Sequence, residues 1–223
     1  MREATAGNER LTALAGAVLL VLIVVEVLTL PNLRALLSVH IVVGVVLAGP
    51  LAVKIGSTGY RFVRYYTRSP AYVRRGPPHL ALRLLAPVLV ATTIVAVGSG
   101  ILLVVTGPAQ ASGLRTVHVI SSIAWLPVLS VHTLAHAPRL PRVIAEDWRG
   151  SDAEAVRRRG LRSGVNAGAL LVGAIAAVLL SPLTAPWIAW VDVPGNAPGP
   201  AFAIVGLALA VLALLVTRPV GWR

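Results

Sequence analysis

Three histidines and one lysine stand at matched positions in apolar stretches of the chain. His118 and His132 are 14 residues apart, and so are His40 and Lys54. In a helix, fourteen residues fall roughly 40° short of four turns and rise about 21 Å along the axis. Each pair therefore projects from nearly one face of its helix, with one member near each side of a bilayer. Imidazole is a common axial ligand of haem iron. Two facing helices of this kind can hold flat cofactors at two levels. His40 and His118 complete the outer level. At the inner level His132 is matched by Lys54, where a second histidine would complete the set. A neutral lysine amine can ligate ferric haem. Lys54 can equally snorkel to the inner head groups or pair with a propionate.

Other residues gather around these levels. Arg34 and Arg115 flank the outer one at the water boundary, placed either to pair with haem propionates or to serve as plain interfacial arginines. Glu26 is about level with His40. It can exchange a proton at an outer quinone pocket, orient His40 or His118 through a hydrogen bond, or bond to a neighbouring helix. His136 follows His132 by one turn. An HxxxH pair can hold a divalent metal, but the acidic partner of HExxH and all cysteine are missing. His136 is therefore read as an alternative inner ligand or a proton relay. Gly44, Gly98 and Gly100 offer room for a flat macrocycle, or simply for close helix packing. His79, after two prolines, reads as an interfacial loop residue.

The elements that position these groups must be membrane helices. The chain has 223 residues, 57% of them hydrophobic, and a mean hydropathy of +0.82. Six stretches approach the roughly 20 apolar residues needed to cross a hydrocarbon core as helix. They run over 11–30, 35–56, 81–106, 115–137, 164–184 and 201–217. No period-two alternation marks a membrane barrel. The expected fold is all-α with six transmembrane helices, of which the first four form a haem-binding four-helix bundle. The chain then divides into that bundle (1–137), a cytoplasmic polar loop (138–163) and two further transmembrane helices (164–223). The mixed-charge stretch Glu146–Arg162 is expected as a short polar helix, and Trp187–Pro200 as the last outer loop. The first stretch lacks a small-x-small cleavage pattern before Pro31 and is expected to stay.

Basic residues set the orientation. With the N-terminus inside, Arg2, Arg10, Arg61, Arg64, Arg68, Arg74, Arg75 and Arg83 fall on the inner side. So do Arg139, Arg142, Arg149, Arg157, Arg158, Arg159, Arg162, Arg218 and Arg223. Only Arg34 and Arg115 fall outside, and both termini are cytoplasmic. The formal charge of +12 is then positive-inside bias, and no nucleic-acid partner is expected. The tract Tyr60–Tyr66 interleaves aromatics with arginine as single-strand binders do. Directly after a spanning helix it reads as interfacial anchoring to the lipid bilayer.

The absence of cysteine excludes disulfides, iron–sulfur clusters, thiolate-ligated haem and covalent CxxCH attachment. There is no phosphate-binding glycine loop and no GxSxG elbow. Any electrons reaching the chain must come from a redox partner subunit or from quinone in the membrane.

The run Leu37-Ser38-Val39-His40-Ile41-Val42-Val43-Gly44 resembles the bacterial cytochrome b561-like group of membrane haem proteins. So does Leu114-Arg115-Thr116-Val117-His118, continuing through Trp125 to Val131-His132. The spacing of the histidines is also similar to that in cytochrome b of quinol-oxidising complexes and in ferric-reductase-like domains. The likeness covers residues 11–137. It implies a bacterial inner-membrane electron-transfer subunit, an oxidoreductase component rather than a complete enzyme. It further implies b-type haem on His40, His118 and His132, and exchange of electrons with quinol or a partner. The departure is Lys54, where the family has a fourth histidine, and it leaves the second haem open. Two other functions compete: a small ion or proton transporter using Glu26, Lys54 and the histidines, and a membrane scaffold that docks an enzyme on its basic inner loops.

Overall fold

The structure is a computed structural model that describes residues 2–74, 76, 80–150, 153–196 and 201–217. His79, Arg75, Arg218, Arg223 and the end of the expected outer loop (197–200) lie outside the described residues. Every regular element among those described is helical. In order they are α1 (Arg2–Thr29), α2 (Leu33–Tyr66), α3 (Pro70–Val73), α4 (Leu80–Thr106), α5 (Ser112–His136), α6 (Leu140–Arg149), α7 (Ala153–Leu180), α8 (Ala185–Asp192) and α9 (Ala201–Thr217). Four continuous helical stretches are long and apolar enough to cross a membrane: Thr5–Tyr66, Leu80–Thr106, Ser112–Arg149 and Ala153–Asp192. Ala201–Thr217 is a shorter apolar helix. This is an all-helical membrane protein.

The first stretch folds back on itself at a 3-10 turn, Leu30–Asn32. Pro31 cannot extend the α1 hydrogen-bond ladder, and the Asn32 side chain accepts from the Ala35 amide to start α2. Far from the turn the two helices are stitched together by polar groups. Asn8 donates to Ser57 O (3.0 Å), and the hydroxyls of Thr12 and Ser57 lie 2.8 Å apart.

The helices then pack in sequence, α1 on α2, α2 on α4 and α4 on α5. Helix α7 lies along α2 and α1, and α9 lies along α5. Its interior is built from small side chains such as Ala15, Ala96, Ser99, Ala135, Ala177 and Ala210. In lipid, apolar surface gains little by turning inward, so close backbone approach replaces large side chains as the source of packing energy. Large side chains such as Val178 and Leu179 stand on the outside accordingly. Pro50, Pro87 and Pro127 sit inside helices. Membrane helices tolerate this where neighbours or local adjustment satisfy the freed backbone groups.

Two expected boundaries change. The segment Glu146–Arg162 is not one polar helix. Gly150 adopts an extended conformation that ends α6, and residues 153–162 belong to α7. The expected outer loop begins as helix α8, with Trp187 and Val191 buried. The tract Tyr60–Tyr66 is the last part of α2. Tyr60 packs edge-on against the buried Tyr72, with centroids 6.1 Å apart, and Tyr66 receives a hydrogen bond from Arg83.

The end of the bundle opposite the Leu30–Asn32 turn is locked by Asp147. Its carboxylate is buried against Arg162 and lies 3.5 Å from Arg10, joining α6, α7 and α1. Arg159 adds hydrogen bonds to the carbonyls of Asp147, Trp148 and Gly150. Truncating one member of such a buried pair leaves the other charge stranded, typically at about 3–5 kcal/mol. Asp147→Asn is therefore expected to lower the unfolding temperature in detergent by several degrees. An unchanged transition would show that the pair is solvated and dispensable.

Candidate functional site

The outer level is assembled from four helices. Glu26 and Thr29, one turn apart on α1, both reach His40 on α2. Thr29 Oγ1 is 2.9 Å and Glu26 Oε1 3.1 Å from His40 Nδ1. The threonine hydroxyl already donates its hydrogen to Glu26 O at 2.6 Å. Toward His40 it can only accept, so the ring proton sits on Nδ1. On the other side, His118 of α5 places Nδ1 2.9 Å from Ala96 O and 3.2 Å from Ser99 Oγ, both on α4. A carbonyl only accepts, so His118 also carries its proton on Nδ1. No hydrogen bond is made by Nε2 of either ring among the described residues.

The two rings meet across the middle. Their centroids are 6.2 Å apart and their planes 78° from parallel. Among the described residues the supporting helices α2 and α5 both pack on α4 and far less on each other. The rings thus span the interior of the bundle, while the backbones stay apart.

Glycines admit this arrangement. A Cβ at Gly100 would lie 3.0 Å from His118 Cε1, and one at Gly44 would lie 3.3 Å from Glu26 Oε1. Gly98 meets nothing within 4 Å and plays no such part.

The two arginines expected at this level have different settings. Arg34 is exposed and engaged outward with Asp192 of α8, at 3.4 Å to Oδ1 and 3.0 Å to the carbonyl oxygen. Arg115, one turn before His118, lies over the Trp190 ring with its guanidinium carbon 4.4 Å from the centroid. Its Nη1 is buried without a hydrogen-bond partner, as is Glu26 Oε2. Trp187 of α8 donates to Leu103 O of α4 at 2.9 Å. Helix α8 thus covers this end of the bundle through α2, α4 and α5. Sequence reading missed α8 because its short apolar run falls just after the fifth predicted span. It also missed Thr29 and Ser99. The i, i+3 spacing of Glu26 and Thr29 was the available signal for the first.

The inner level is arranged differently. Lys54 Nζ donates to Thr12 O of α1 at 3.0 Å and occupies space that a Cβ at Gly16 would fill at 2.9 Å. Its ammonium group is turned toward α1, within electrostatic range of His132 and His136. Those two rings stack on each other at 4.4 Å, and His136 Nδ1 lies 2.9 Å from His132 O in the preceding turn. No group of three or more His, Cys, Asp or Glu suited to an ordinary metal ion occurs among the described residues.

Comparison of the chain with protein-family models, with curated proteins and with solved structures gave no match.

Proposed function

We propose that the chain is a six-span membrane cytochrome of b type that relays electrons, with one haem held between His40 and His118. One observation carries the reading. Two imidazoles meet across the bundle from helices that scarcely touch each other, each tied to the protein at Nδ1 and without a partner at Nε2 among the described residues. A haem there would take its iron ligands from these two rings, whose centroids lie 6.2 Å apart. Hydrogen-bonded Nδ1 with free Nε2 is the usual state of a metal-binding histidine. The buried, unpartnered Nη1 of Arg115 fits a haem propionate, whereas Arg34 already has Asp192.

A bound haem supplies one-electron oxidation and reduction. The chain itself binds and orients. Glu26, Thr29 and Ala96 O hold the rings, and α8 covers the outer end. Glu26 and His136 are the groups placed to move protons at the two levels. The electron donor and acceptor would be quinol in the bilayer or a redox partner subunit. Arg10, Arg159 and Arg162 gather at the end opposite Arg34 and Arg115. That favours a bacterial inner membrane orientation with both termini cytoplasmic. At the inner level, the bond from Lys54 to Thr12 O favours a positioning role for the lysine over iron ligation.

The test is a reduced-minus-oxidised visible spectrum with a pyridine haemochrome titration on purified, haem-supplemented protein. One haem per chain is expected. Two would bring His132 and Lys54 into iron ligation. None would sink the cytochrome reading and favour an ion or proton path through Glu26, Lys54 and the histidines.

A further inference from the structure

We propose that a cleft between the first turns of α1 and helix α6 binds the phosphate head group of an anionic phospholipid. The inference does not depend on haem. Helix α6 packs against α1, and a cavity of about 280 Å³ opens between them. Ala6, Glu9 and Arg10 form the α1 wall. Arg139, Arg142, Val143 and Glu146 form the other, and their helical spacing puts all four on one face. The space falls just short of the roughly 300–1,000 Å³ of pockets that enclose a whole small molecule. It suits a head group whose acyl tails stay in the bilayer.

The charges in the cleft are arranged for one phosphate. Arg10 lies 3.5 Å from the Asp147 carboxylate, but Arg162 already neutralises that group, so Arg10 keeps charge to offer. Arg139 and Arg142 are exposed and have no hydrogen-bond or ion-pair partner among the described residues. Guanidinium forks match the oxygens of a phosphate. Glu9 and Glu146 offset two of the three arginines, which leaves the lining one positive charge in excess. That excess matches the single negative charge of a phosphodiester, and the glutamates oppose a more highly charged anion.

The position is that of lipid head groups. The two walls lie just beyond the ends of the apolar runs 11–30 and 115–137. Helix α6 also exposes Trp148, an interfacial type of side chain, with the Arg159 guanidinium carbon 4.8 Å from its ring centroid. The buried pair of Asp147 and Arg162 fixes α6 against α7, and Arg10 ties it to α1. The cleft is therefore preformed, and a head group has little besides two arginine side chains to order.

The test is a native mass-spectrometric titration of the full-length protein, purified in lipid-free detergent, with dioleoyl-phosphatidylglycerol. Saturable binding of one lipid is expected, and none of comparable strength with dioleoyl-phosphatidylcholine. An arginine near a lipid surface contributes about fivefold in affinity, so Arg139→Gln/Arg142→Gln should bind about 25-fold more weakly. Arg149→Gln/Arg157→Gln removes the same charge outside the cleft and should bind as the wild type does. Equal losses in the two double variants would reduce the attraction to diffuse positive charge and overturn the site. Equal binding of phosphatidylcholine, or no saturable binding at all, would do so too. Displacement of the lipid by millimolar inorganic phosphate would make free phosphate the ligand and overturn the lipid assignment. Should the cleft variant fail to fold, Arg142→Gln alone decides: about fivefold weaker binding supports the site, and unchanged binding overturns it.

Discussion

Replacing His118 with alanine is expected to abolish haem binding at the outer level, taking the haemochrome yield from one per chain to near zero. The ring is the group through which α5 meets His40. Ser99 and Ala96 supply oxygen atoms that serve as partners of Nδ1, not as iron ligands. His40→Ala should have the same effect. Glu26 would then lose its hydrogen-bonding partner, and the fold should survive because the helices are held elsewhere. Added imidazole should partly restore the spectrum of His118→Ala, since the vacated space beside Gly100 is shaped to that ring. Gly100→Val should act like a weaker His118→Ala by pushing the ring off its position. Full haem retention in His118→Ala would move the ligand elsewhere, with His132 the next candidate. In contrast, Lys54→Ala should leave the outer haem in place. Its expected effect is confined to the α1–α2 contact at Thr12.

The all-helical membrane fold was legible in this chain, and so were the ionisable residues that stand out within it. Ionisable residues are costly within apolar helices, so His40, His118, His132 and Lys54 stand out without any structure. Helical spacing placed them at two levels, and the structure brings His40 and His118 together. The partners of their Nδ1 atoms were less visible. Ala96 acts through its backbone oxygen, which no sequence pattern distinguishes, and Ser99 resembles any small residue of a packed helix. Lys54 matched a histidine position by count, but count says nothing of direction. Gly16 and the Thr12 carbonyl, both on another helix, decide which way its amine turns. Hydropathy located the apolar runs to within a few residues. It extended neither α1 nor α2 into their polar ends, because helices continue past the hydrocarbon boundary wherever tertiary partners satisfy them. Asn8 and Ser57 do so here.

Helix pairing was the least legible feature, and it supports a prediction whose sign is diagnostic. In a helix interior alanine is favoured over glycine by about 1 kcal/mol. A Gly→Ala change in open space should therefore stabilise slightly, and Gly98→Ala is expected to do so, since nothing lies within 4 Å of its added Cβ. Gly49→Ala should do the reverse. Its Cβ would fall 2.0 Å from Ala169 O of α7, a backbone atom that no rotamer change can move. Gly173 makes the reciprocal contact, where a Cβ would lie 2.5 Å from Val46 O of α2. The two helices can accept a methyl group there only by separating, and overpacking of this kind costs about 1–3 kcal/mol. The net expectation is a lowered unfolding midpoint in detergent for Gly49→Ala and a slightly raised one for Gly98→Ala. Because α2 also carries His40, nine residues before Gly49, Gly49→Ala should in addition release haem at a lower denaturant concentration. Equal midpoints for the two variants would mean that α7 does not press on α2 and that the His40 helix is positioned without it.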